Sequence, residues 1–288
     1  MGKHNYIKSP LNYTGGKYKL LPQIIPIIRE CGKVRRFVDM FTGGVNVAIN
    51  MADYDVAENV FANDFERHII ELYKCLQENS IETVLDYIYK RIQEYQLSDT
   101  NAEGYNGFRE YYNKSQEKYP LDLFILICHS FNHQFRFNTN GEFNMPFGKN
   151  RSKFNPNIEK NLINFHKSIQ YIVFSCKDFR ELKIDNLKSD DYVYCDPPYL
   201  ITCATYNEKD GWNNDDEKAL LSLLDTVNEK GTKFGLSNVL YNKGKTNDIL
   251  IEWSKKYNVR HLDYTYKNCN YHTKDKDSKP DEVIITNY

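Results

Sequence analysis

Short apolar strands alternate with helices before about residue 75 and again after about residue 170, and a stretch of different rhythm separates the two halves. That interruption constrains the fold more than any single residue, because alternating strands and helices specify a parallel sheet that the middle of the chain must leave and rejoin. Residues 34–40 read as a strand entering the Gly-containing turn 41–44, with a helix over 45–51. Residues 60–64 read as a second strand ending on an acid, and 66–77 as a helix. Residues 81–131 read largely as helix, with Ile81, Val84, Leu85, Ile88 and Tyr89 at three–four spacing. Over 134–148, Phe135, Phe137 and Phe143 alternate with polar residues around Thr139-Asn140-Gly141, which predicts a hairpin turning at Asn-Gly. Beyond it, 171–175, 192–194, 234–237 and 283–286 read as strands and 215–228 as a helix. The expectation is an α/β sheet built from 1–75 and 165–288, with a mostly helical insertion over 76–164 carrying the hairpin. No repeat or low-complexity linker suggests a domain strung on.

Composition narrows the partner. With 41% hydrophobic and 14% aromatic residues, the chain has ample material for a packed core and is neither disordered nor fibrous. No apolar run nears the roughly 18 residues needed to span a bilayer, and the first ten residues lack a secretory apolar stretch. Gly2 lacks the Ser or Thr of a myristoylation signal, since Tyr6 occupies that place. The net charge of −1 is a cancellation. Residues 1–36 set Lys3, Lys8, Lys17, Lys19, Arg29, Lys33, Arg35 and Arg36 against Glu30 alone. Residues 129–154 set Arg136, Lys149, Arg151 and Lys153 against Glu142, whereas 196–230 hold eight acids and three lysines. The distribution therefore admits a nucleic-acid partner that the total would argue against. The seven cysteines (Cys31, Cys75, Cys128, Cys176, Cys195, Cys203, Cys269) fall singly, without a CxxC pair, and the histidines form no ligand pair. Reduced thiols, a cytoplasmic location and no metal are expected.

Asp196-Pro197-Pro198-Tyr199 follows the apolar strand directly, where open α/β sheets place chemistry. The prolines stiffen the backbone and leave the Pro197 carbonyl as an acceptor beside the Asp196 carboxylate. Two rigid acceptors next to the Tyr199 ring suit an exocyclic amine on a planar base. Such an amine is a poor nucleophile because its lone pair is delocalised, and accepting both of its hydrogens localises that pair. An ordinary Asp-Pro-Pro turn is the plainer reading of four residues alone.

Phe37-Val38-Asp39-Met40-Phe41-Thr42-Gly43-Gly44 puts glycines just after a strand, where a ligand can approach backbone. Val45 and Asn46 break the GxGxxG pattern, which favours a nucleoside over a dinucleotide. Asp64 ends the next strand, where an acid binds ribose hydroxyls or caps a helix. In Tyr13-Thr14-Gly15-Gly16-Lys17 the remainder of a Walker loop is missing, so nucleotide hydrolysis is not expected.

These motifs, together with Gly-Glu-Phe-Asn-Met-Pro-Phe-Gly at 141–148, occur in an order that resembles the Dam-type DNA adenine-N6 methyltransferases, from about residue 6 to 287. Segments 196–202 and 253–259 look most similar to the T-even phage members. The resemblance implies a Rossmann-like S-adenosylmethionine-dependent sheet with an inserted, mostly helical target-recognition domain. It implies that S-adenosylmethionine is held by Tyr13, Lys17, Asp64 and Asp196, with Phe41 and Gly43 lining the pocket and Phe179 near the cofactor adenine. Asp196, Pro197 and Tyr199 would handle a flipped adenine in double-stranded DNA, an extruded base needing a new stacking surface. Arg136 would read guanine, with Asn138 and Pro146 contacting DNA nearby. Lys149 or Arg151 would meet the outer guanine of GATC, although Lys149-Asn150-Arg151 replaces the Lys-Arg of phage relatives. Position 12 is Asn where some bacterial relatives carry a DNA-contacting lysine, and His133 and Gln134 also differ. Cytosine-N4 methylation, a non-catalytic DNA-binding relative and methylation of RNA or a protein amide are the alternatives. Arg136 could equally be a solvated hairpin charge, and Phe135, Phe137 and Phe143 fit hairpin core better than stacking groups.

Overall fold

The computed structural model describes residues 6–53, 56–202, 211–263 and 280–288; Cys203 and Cys269 lie outside these residues. Strands β1 (Val34–Asp39), β2 (Ala57–Asp64), β3 (Ile172–Cys176), β4 (Asp191–Cys195), β5 (Lys233–Asn242), β6 (Lys245–Thr246), β7 (Asn258–His261) and β8 (Asp281–Thr286) form one sheet. Its order is β3-β2-β1-β4-β5-β8-β7, with β6 paired to β5. The strands from β3 to β5 run parallel, and β8 is antiparallel to both β5 and β7. The α/β expectation holds.

In chain order the helices are α1 (Leu21–Arg29), α2 (Asn46–Asp53), α3 (Arg67–Glu78), α4 (Ile81–Glu94), α5 (Ala102–Lys114), α6 (Pro120–His129), α7 (Pro156–Ile169), α8 (Asn214–Glu229) and α9 (Asp248–Ser254). β4, buried throughout, shows how the sheet divides two cores. Tyr192 and Tyr194 point into the core shared with α1, α2, α3 and α7, while Val193 and Cys195 point into the core under α8 and α9. The first core runs on without a break into Val84, Ile88, Phe108 and Phe124 of α4–α6.

The single helical stretch expected over 81–131 is three helices, each with its own start signal. Ser80 accepts from the Thr83 amide, Asn101 accepts from the Gly104 amide, and Pro120 opens α6. The hairpin is less regular than its alternation predicts. Phe137 and Phe143 form an isolated antiparallel bridge around a turn in which Gly141 has φ +75°. The reason is competition for backbone. The Asn113 side chain bonds both the amide and the carbonyl of Phe143, and Tyr105 and Arg109 both donate to the Met145 carbonyl. Helix α5 thus takes the groups a longer strand ladder would use. Phe135 and Phe143 are buried in the core, and Phe137 stacks on His68 at 4.0 Å.

Behind the sheet, the fully buried Asp191 carboxylate at the start of β4 meets Arg35 at 2.6 Å and Arg36 at 2.8 Å. Removing one partner of a buried pair strands the other charges, so Asp191→Ala should cost about 3 kcal/mol of stability. Urea unfolding measures this, and an unchanged midpoint would refute it; the exposed Asp190→Ala is the control.

Candidate active site

β1 and β4 are neighbours in the sheet, and the chain leaves them toward opposite sides, to β2 and to β5. This is the point at which an open α/β sheet leaves a crevice at its carboxyl edge. The register pairs Asp39 with Tyr194, and the Met40 amide donates to the Tyr194 carbonyl at 3.0 Å. The Phe41–Gly44 turn and the Asp196–Tyr199 loop therefore leave the sheet side by side.

Four side chains from three distant segments close a ring over this crevice. Lys17 Nζ lies 2.9 Å from Asp196 Oδ2 and 3.5 Å from Glu282 Oε1. The Tyr199 hydroxyl lies 3.0 Å from Asp196 Oδ1 and 3.2 Å from Glu282 Oε1, and the ammonium sits 5.0 Å from the Tyr199 ring centroid. Lys17 is 5% exposed, Glu282 4% and Asp196 18%. Burial works against the Lys17 charge, but Asp196 and Glu282 outweigh it and hold the lysine firmly protonated. Burial raises the Asp196 carboxyl, and Lys17 restrains the rise. Burial and the adjacent Asp196 push the Tyr199 phenol well above its ordinary value, so it remains a neutral donor. Pro197 is buried directly beside Asp196. Sequence reasoning missed Glu282; its only signal is the acidic pair Asp281-Glu282 opening the apolar run Val283-Ile284-Ile285.

Asp39, below this ring, is buried with Oδ1 unpartnered, and burial together with Asp196 pushes its carboxyl well above the ordinary range.

The second half of the site is shaped by glycine and aromatic rings. Gly43 has φ +45°, and a Cβ there would stand 2.9 Å from the Tyr13 ring, so only glycine lets Tyr13 lie against this turn. Val45 follows with φ +61°, an uncommon conformation for a β-branched residue, held by full burial. Asp64 does not cap α3; Glu66 does, accepting from the His68 amide. The Asp64 carboxylate accepts instead from the Gly43 amide at 2.7 Å and the Glu66 amide at 2.9 Å, tying the loop after β2 to the loop after β1. Phe41 and Phe179 meet at 5.4 Å, and Trp212 joins both, at 5.7 and 5.6 Å. Trp212 had no motif to mark it.

Arg136, Asn138, Pro146, Lys149 and Arg151 all lie on the segment held by α5. Arg136 Nε donates to Asn144 Oδ1 at 2.9 Å, which sets the guanidinium direction. Asn138 is occupied locally: its Oδ1 accepts from the Asn140 and Glu142 amides. Pro146, Lys149 and Arg151 are exposed, and the Arg151 guanidinium lies 5.5 Å from the Phe131 ring centroid. Contacts join this segment and the residues just before it to the crevice. Phe135 packs on Tyr13 at 5.6 Å, and Asn12 Nδ2 donates to the Asn132 carbonyl at 2.8 Å.

Residues 13–276 match the family described as D12 class N6 adenine-specific DNA methyltransferase. The chain belongs to that family. It is 47% identical over its whole length to the type II methyltransferase M.FokI of Planomicrobium okeanokoites, covering 44% of that protein. It is 44% identical over 98% of its length to the modification methylase StsI of Streptococcus sanguinis, covering 43% of it. The DNA adenine methylase of Escherichia coli K12 is 33% identical over 68% of the chain and 66% of its own length. This D12-family chain thus spans less than half the length of the first two relatives. Among the described residues of this methyltransferase-family chain, no helix is long and apolar enough to cross a membrane, and no group of three His, Cys, Asp or Glu could hold a metal.

Proposed function

We propose that the chain transfers the methyl group of S-adenosylmethionine to N6 of an adenine flipped out of double-stranded DNA. The observation that carries this reading is the buried contact of Asp196 with Lys17 and Tyr199 at the sheet's switch point. Bound S-adenosylmethionine supplies an electrophilic methyl group on a cationic sulfur. The residues present fit it: Lys17 and Asp196 set opposite charges side by side at the crevice, and the buried Asp39 Oδ1, without a hydrogen-bond partner among the described residues, is a polar group left for a ligand to meet. Lys17 and Asp196 would hold its amino-acid end, Asp64 its ribose, and Tyr13, Phe41, Gly43 and Phe179 its base and flanks. Asp196 and the Pro197 carbonyl accept the two N6 hydrogens and localise the lone pair, while Tyr199 replaces the stacking neighbours lost on flipping.

The 76–164 unit is the target reader in this proposal, with Arg136 on guanine, Asn138 and Pro146 beside it, and Lys149 or Arg151 on the outer base pair. GATC is the site the Dam-type resemblance implies. The naming of M.FokI and StsI as type II and modification methylases supports a protective role beside a restriction activity, carried out in the cytoplasm where the DNA lies.

Expressing the chain in cells and digesting their DNA to nucleosides tests the chemistry, while sequencing for methylated adenine reports the site. N6-methyladenine is expected. N4-methylcytosine would replace this reading with the cytosine alternative, and methylation confined to another adenine-containing sequence would refute GATC.

Asp64 supplies a pH prediction. Burial pushes its carboxyl from 3.8 up to about 6, against bonds from the Glu66 and Gly43 amides. Ribose hydroxyls need the ionised form, so cofactor affinity should weaken as pH falls through 6, and Asp64→Asn should flatten that profile. The folded carboxyl keeps its proton to a higher pH than the unfolded one, so its effect on folding runs the other way: stability declines between pH 3.8 and about 6. Calorimetric titrations at several pH values check the binding arm, and a flat wild-type profile would refute it.

A further inference from the structure

The transfer chemistry above assigns nothing to Glu282. Its neighbours Val283, Ile284 and Ile285 are fully buried and apolar, and Glu282 is itself 4% exposed. A buried carboxylate is costly unless its bonds compensate. It is compensated here by the two groups that flank Asp196: the Tyr199 hydroxyl at 3.2 Å and the Lys17 ammonium at 3.5 Å.

The contacts differ in reach. The bond between Tyr199 and Asp196 spans three residues within one loop and can travel with it. Glu282 stands on β8, hydrogen-bonded between β5 and β7, so its bonds tie that loop and Lys17 to the sheet frame. A phenol has one hydrogen, so Tyr199 donates to Asp196 or to Glu282 or shares that hydrogen between them, and Lys17, in contact with both carboxylates, keeps the two within its reach.

We propose that Glu282 is a positioning residue for methyl transfer, fixing Tyr199 and Lys17 on either side of Asp196 before the base arrives. Rigid placement from a strand lowers the reorganisation that a loop would otherwise undergo at the moment of reaction. The inference rests on the transfer reading above. It extends that reading to a residue outside the Asp-Pro-Pro-Tyr loop.

The test compares wild type, Glu282→Gln, Glu282→Asp, Tyr199→Phe and the Glu282→Gln/Tyr199→Phe double variant in the full chain. Single-turnover methylation of adenine-containing duplex gives the rate of the chemical step, steady-state turnover gives kcat and KM, and calorimetry gives S-adenosylmethionine affinity. Glutamine keeps the shape and an acceptor but loses the charge. It should lower the single-turnover rate about 30-fold with KM and cofactor affinity within about 3-fold. Glu282→Asp keeps the charge but withdraws it by one methylene, and should lose less. Because Tyr199 and Glu282 act as one unit, the double variant should be no more than about 3-fold slower than the worse single variant. A wild-type rate in Glu282→Gln, a loss confined to KM, or losses that multiply would each overturn the proposal. If glutamine prevents folding, Glu282→Asp decides, and its wild-type rate would overturn it. A wild type that binds S-adenosylmethionine but methylates no DNA would refute the transfer reading instead.

Discussion

Asp196→Ala is expected to reduce methyl transfer about 1,000-fold under single-turnover conditions. The substitution removes the carboxylate acceptor of the N6 hydrogens and also one of the two carboxylates balancing Lys17. With Glu282 still 3.5 Å from the ammonium and the loop stiffened by Pro197 and Pro198, the fold should survive. The loss should therefore appear as a rate and not as missing protein. Asp196→Asn, which keeps one acceptor and introduces a donor, should fall between alanine and wild type. Incorporation of labelled methyl into adenine-containing duplex measures both. Full activity in Asp196→Ala would sink the mechanism, because nothing else in the loop offers a charged acceptor at the switch point.

Arg136→Ala should cost about 1–3 kcal/mol of discrimination, roughly 10- to 100-fold in kcat/KM, on the cognate site. Asn144 accepts from Nε and sets the direction of the guanidinium, whose planar fork matches the paired acceptors of guanine O6 and N7. Relaxed preference at one base position should accompany the loss. Lys149→Ala and Arg151→Ala provide the contrast. A phosphate contact removed at either position should weaken binding evenly across sequences and reduce the salt slope by about 1. Measured rates on duplexes altered one base pair at a time separate the two behaviours. An Arg136→Ala enzyme with unchanged preference would remove the arginine from the reading of sequence.

What could be read from the chain in advance follows from how local each signal was. β1, β4 and the Asp196 loop were legible because an apolar run and a proline pair mark them within a few residues. α1 was not: Pro22 and Pro26 hide an apolar stripe of Leu21, Ile24, Ile25 and Ile28 that buries completely against the sheet. The edge strand β7 (Asn258–His261) carries no apolar alternation, and only its pairing with β8 makes it a strand. The site divides the same way. Asp196, Tyr199, Lys17 and Gly43 sit in motifs, and the fold brings them into contact or onto the same crevice. Glu282 and Trp212 have no motif and reach the site through strand order and a helix start, which are non-local properties. The resemblance implied Phe41 as a pocket-lining residue and Phe179 as one near the cofactor adenine, and the fold sets the two rings 5.4 Å apart.

The mounting of the 134–148 segment has an evolutionary consequence. Helix α5 grips the backbone of Phe143 and Met145, using Asn113, Tyr105 and Arg109, and not the side chains that face outward. Outward residues can therefore be exchanged without loosening the clamp, much as a key can be recut while its bow stays the same. In the proposed reading, lineages could acquire new target sequences by point changes at positions such as 136, 149 and 151 while the fold and the crevice stay intact, whereas Asn138, which accepts from the Asn140 and Glu142 amides, holds the turn itself. The limit on such drift is Phe135, whose ring rests on Tyr13 and so binds the recut edge to the pocket behind it.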